Sequence, residues 1–141
     1  METTGTNLQE VIDAVRVKLP TEKLSGKENQ IVQLLRAATA RCSRKTYDNL
    51  EFDYVPEILE GYFHEKLHSP TIELLALYVA RDYVSWQYSI LGDRKRFLGT
   101  TAFNKIPSDK ERFDLLKSQI DFFNTEIEKF EMDFPDYSED R

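Results

Sequence analysis

The sequence predicts an all-α fold, a bundle of four to five helices around one buried central helix, and three observations carry the prediction. Residues 69–92, SPTIELLALYVARDYVSWQYSILG, are apolar on nearly every side, and a helix of that kind must be covered nearly all round. Residues Phe113, Leu116, Ile120, Phe123, Ile127, Phe130 and Phe134 recur at alternating steps of three and four, a heptad seam on a long C-terminal helix. The apolar residues before position 43 also keep helical spacing. One domain covering 1–141 is expected, because 141 residues at 40% hydrophobic suffice for one core and are too few for two ordinary domains.

Taken in order, residues 1–6 read as a flexible polar leader, after which Thr6 or Asn7 caps a helix with Leu8, Val11, Ile12, Val15 and Leu19 on one face, ended by Pro20. Ser25 and Glu28 have capping-box spacing, and Ile31, Leu34, Leu35, Ala38 and Cys42 then mark a second helix. Arg36, Arg41 and Arg44 lie on its other sides, as a solvated face or one turned to an acidic neighbour. Residues 45–54 lack a helical period and read as a loop or a short extended piece.

Pro56, in a first-turn position, with Glu57 and Glu60 near the positive end of the dipole, predicts a third helix over about 55–67 that buries Val55, Ile58, Leu59, Tyr62, Phe63 and Leu67. The central helix follows, capped by Ser69, with Pro70 in its first turn and Gly92 as its stop. Its charges Glu73, Arg81 and Asp82 exclude a membrane span, and the Arg81-Asp82 pair suits a helix edge, an internal ion pair or a subunit contact. Residues 93–107 read as an extended irregular loop, a length that is often functional. Ser108 and Glu111 form a second capping box for the last helix, about 109–132, where Leu115 and Phe122 widen the seam enough to touch two partners. Residues 133–141 form an acidic tail stopped by Pro135.

Composition excludes several functions. A net charge of −6 opposes binding to phosphate backbones and to anionic membrane surfaces, and leaves proteins as the favoured partners. Cys42 is the only cysteine, so no internal disulfide forms, and METTGTN has neither the charged nor the apolar region of a signal peptide. There is no glycine-rich phosphate loop and no nucleophile elbow. One motif suggests chemistry: His64, Glu65, Lys66, Leu67 and His68 spell H-E-x-x-H, in which two histidines one helical turn apart bind zinc and the glutamate acts as base. On a helix burying Tyr62, Phe63 and Leu67 those histidines would face solvent, Lys66 would set a cation beside the metal, and no third histidine exists. The expectation is therefore no enzyme, with no catalytic, cofactor-binding or metal-binding residues; a small zinc hydrolase using His64, Glu65 and His68, or a small helical regulatory protein, is the alternative.

Contacts are expected instead from the basic run Arg94, Lys95 and Arg96 beside Phe97 and Phe103, and from Phe134 and Tyr137 in the tail, because cations mixed with exposed aromatics make interface anchors.

The succession LQEVIDAVRVKL, then QIVQLLRAATARCSRKTY, then a proline-started segment, then IELLALYVARDYVSWQ resembles the small helical head-tail connector, or adaptor, proteins of tailed bacteriophages over residues 8–92. The chain departs from the smaller connectors in its 93–107 segment and its last helix. The resemblance implies a structural virion protein, a homo-oligomeric ring, commonly a dodecamer, in the phage neck that binds the portal protein and the next neck or tail protein. DNA would pass through its channel, without membrane contact or sequence-specific recognition of nucleic acid. Its place would be the virion neck, and the host cytoplasm during assembly.

Overall fold

The computed structural model describes residues 5–43, 46 and 48–134. Asn7 caps α1 (Leu8–Lys18) by accepting from the Gln9 amide, and the predicted face of Leu8, Val11, Ile12, Val15 and Leu19 is buried. A turn through Gly26, whose φ of 82° suits glycine, leads into α2 (Glu28–Cys42). Ser25 does not cap it: Lys27 holds the cap position, and the Glu28 carboxylate reaches back to the Gly26 amide. Ile31, Val32, Leu35, Ala38 and Cys42 form its buried face.

The third helix expected over 55–67 is absent. In its place β1 (Phe52–Val55) and β2 (Glu60–Phe63) form an antiparallel hairpin in which Phe52 faces Phe63 and Val55 faces Glu60. The apolar residues read as a helical stripe divide instead between two sides of the structure. Phe63 and Leu67 are buried, whereas Val55, Ile58 and Leu59 are 46, 60 and 47% exposed at the turn. Gly61 decides this locally, since a Cβ there would come within 2.5 Å of both the Asp53 carbonyl oxygen and Leu8 Cδ1, so the strand lies flat on α1. Nor is 1–6 entirely a loose leader: Thr6 is buried, its Oγ1 accepts the Leu67 amide, and its carbonyl accepts the Phe63 amide.

α3 (Ser69–Leu98) is the organising element but runs six residues past the predicted stop. His68, not Ser69, is its cap residue, with its amide donated to Asp48. Gly92 lies inside the helix, 3.9 Å by its would-be Cβ from the Phe113 ring, and Gly99, with φ 85°, ends it. The 93–107 segment is thus not an extended loop: it completes α3, then forms the short α4 (Thr100–Asn104) and turns into α5 (Pro107–Met132). α5 starts at Pro107 behind Ile106, without the Ser108 cap.

The architecture is therefore largely helical, with five helices and one two-stranded sheet among the described residues, which corrects the all-α expectation. The first half of α3, from Thr71 to Val84, is buried among α1, α2 and the C-terminal half of α5. The heptad seam lies against α3 of the same chain, with Leu116, Phe123 and Ile127 buried and Ile120, Phe130 and Phe134 packed at the margin. Among the described residues no helix is long and apolar enough to cross a membrane.

Candidate interaction surface

Beyond Val84, α3 leaves the main core and pairs with the N-terminal half of α5 as an antiparallel helical hairpin. Its interior is aromatic: Tyr88 stacks on Phe113 with ring centroids 4.3 Å apart, and Phe103 of α4 closes the end, edge-on to Phe113 at 5.6 Å. Lys95 lies over both rings, 5.0 Å from Phe113 and 5.9 Å from Phe103. Arg112 ties α5 to the α1–α2 turn through Glu22 at 3.0 Å, and Tyr78 donates to Glu131 further down. Burial, together with that hydrogen bond, pushes the Tyr78 phenol well above its ordinary pKa, so it remains a donor at any physiological pH.

The predicted contact residues are separated by this arrangement. Phe103 is fully buried and is a core residue, not an exposed anchor, because α4 folds it back onto Phe113. Arg94 pairs with Asp109 at 3.0 Å and Arg96 with Asp93, while Lys95 is directed inward over the rings. Phe97 is 89% exposed. Phe134 rests against Phe130, with ring centroids 5.8 Å apart, and Tyr137 and Arg44 lie outside the described residues. Arg81 and Asp82 belong to an internal network, in which Arg41 grips Asp82 through two hydrogen bonds of 2.9 and 3.1 Å.

Sequence reasoning missed the neighbours of Phe97. Trp86, Ile90 and Phe97 are 39, 48 and 89% exposed, and with Asp93 they follow steps of four, three and four along α3. At about 100° per residue these positions share one face, directed away from α5. The spacing was visible in the sequence, hidden by the assumption that the whole helix was covered. α5 carries a second stripe: Leu115 and Phe122, 49 and 58% exposed, continue the 4-3-4 spacing of Glu111, Leu115, Ser118 and Phe122 on its outer side.

The H-E-x-x-H residues are not on a helix. His64 follows β2, with Nε2 3.0 Å from Asp53 and Nδ1 3.5 Å from Glu51; carboxylates on opposite ring nitrogens cannot converge on one ion. His68 sits at the start of α3, its Nδ1 2.6 Å from Asp48. Among the described residues no group of three or more His, Cys, Asp and Glu is placed to hold a metal ion. The Asp48 carboxylate is 3% exposed. Burial alone would push it up, but hydrogen bonds from Thr71 and from the amide and ring of His68 outweigh burial and hold it below the ordinary carboxylate range. This cluster anchors Thr46 and Asp48 to the start of α3. Beside it, Arg36, Thr39, Leu50, Glu51, Phe52 and His64 line an open groove of about 620 Å³.

Comparison of the chain with family models, with curated proteins and with solved structures finds no match.

Proposed function

We propose that this chain is a structural assembly protein of the head-tail connector kind, a ring component of a phage neck that binds the portal protein and the next neck or tail protein while DNA passes through its channel. In this reading α3 is the axis of a helical bundle covered by α1, α2 and α5, and the paired ends of α3 and α5 are the part that reaches neighbouring proteins. The observation that carries it is the outer face of that hairpin, where Trp86, Ile90 and Phe97 stay exposed in a single stripe although the same chain buries its aromatic seam. Large apolar side chains held in a row on a braced two-helix support suit docking better than solvation. The net charge of −6 also favours a channel through which DNA slides without sticking.

The experiment is to look for the chain in purified particles, and to assemble particles with the doubly substituted variant Arg96→Glu, Phe97→Ser. Both residues are exposed, so the variant should fold normally, and particles should stall before the neck is complete. Absence of the chain from particles, or normal assembly with a folded variant, would overturn the reading.

A further inference from the structure

We infer that the two exposed stripes are partners for each other in different copies: the Trp86, Ile90, Phe97 face of α3 in one chain packs on the Leu115, Phe122 face of α5 in the next. The inference rests on the assembly reading above and gives it a specific contact.

Three features of the surface lead to a second copy as the occupant. The spacing matches, since both stripes follow steps of four, three and four, the pattern by which helices pack side by side with interlocking side chains. The lengths match within a helical turn or so: Trp86 to Phe97 spans about 16 Å and Glu111 to Phe122 the same, at about 1.5 Å per residue. The charges are complementary. Along the α5 stripe stand Glu111, Asp114 and Asp121, exposed and without an ion pair among the described residues, with Lys110 and Lys117 as nearby cations, whereas Arg94 and Arg96, paired within the chain to Asp109 and Asp93, flank the α3 stripe with side chains still 53 and 75% exposed.

Direction follows from the fold. Within a chain α3 and α5 are antiparallel, as the pairings of Tyr88 with Phe113 and Tyr78 with Glu131 require. In a ring of many subunits each copy is turned by only a small angle onto the next, so α3 of one meets α5 of its neighbour still antiparallel. That sets Trp86 opposite Phe122 and brings Arg94, Arg96 and Phe97 to Glu111 and Asp114, the acidic start of α5. The two stripes face away from each other on the hairpin, so each chain offers one of each, and the contact is head-to-tail. A contact of this type closes into rings or runs on into filaments, and does not stop at two copies.

Cysteine trapping tests this. Trp86→Cys and Phe122→Cys are placed together in one chain at surface positions, Cys42 being buried, and the concentrated protein is oxidised. A disulfide forms where the Cα atoms approach within about 7 Å. The double variant should give a ladder of dimers, trimers and larger species without reductant; each single variant should stay monomeric, and an equal mixture of the two singles should give dimers and nothing larger. Adding Ile90→Asp to the double variant should abolish the ladder while circular dichroism stays unchanged. No ladder from the folded double variant, or dimers from either single variant, would overturn the inference. A ladder from a chain that is absent from particles would leave the contact standing and remove the connector reading instead.

Discussion

Replacing Phe103 by alanine removes a ring that contributes no exposed surface and closes the aromatic interior where α3, α4 and α5 meet. The ring lies edge-on to Phe113, 5.6 Å between centroids, under the Lys95 ammonium at 5.9 Å. Loss of a fully buried phenylalanine costs about 3–5 kcal/mol through lost transfer energy and the cavity left behind, and the site is hemmed in by Tyr88 stacked on Phe113, which limits collapse. For a chain of this size the melting temperature should fall by about 10–17 °C. Urea unfolding followed by circular dichroism at 222 nm reads the difference directly. Phe97→Ala is the companion, since a residue 89% exposed should change stability by less than about 0.5 kcal/mol. The two phenylalanines stand six residues apart in one basic aromatic segment, so an anchor role for both would make both substitutions silent. A loss below about 1 kcal/mol for Phe103→Ala would refute the packing described for α4 and return Phe103 to the surface.

Other outcomes follow from the first half of the chain. The folded-state pKa of Asp48 is depressed, so its contribution is complete above the ordinary carboxylate value, present at neutral pH, and lost as pH falls through the folded value. Asp48→Asn should lose about 1–3 kcal/mol at neutral pH and show a shallower decline in urea midpoint between about pH 6 and pH 3 than the unaltered chain; equal slopes would contradict the assignment. Leu59 has φ 54° and an exposed side chain, so Leu59→Gly should relieve backbone strain and raise stability by up to about 1 kcal/mol in thermal melts. Gly61→Ala should lower it by more than about 1 kcal/mol, because the new methyl meets the Asp53 carbonyl and Leu8; an unchanged melting temperature would show that β2 does not lie on α1 as described.

The helices legible from residue spacing alone are those whose apolar face meets one consistent surface. The stripes of α1 and α2 and the α5 seam were legible because a 3.6-residue period has a single explanation when one side is buried along its whole length. The hairpin was not, because Val55, Ile58, Leu59, Tyr62 and Phe63 satisfy a helical period and also two short strands joined by an apolar turn. Gly61 and the aromatics flanking Pro56 were the available hints, and the close approach of α1 to Gly61 chose between them. Two glycines seven residues apart could each have ended α3, and the sequence offers no preference. The stacking of Tyr88 on Phe113 carries the helix through Gly92 to Gly99. The same packing decided the candidate surface, turning Phe103 inward, engaging Arg94 with Asp109, and leaving Trp86, Ile90 and Phe97 outside. Which of several aromatic residues in a row lies in the core depends on what stands opposite each one. That is set by the pairing of helices far apart in the chain, to which local spacing is blind.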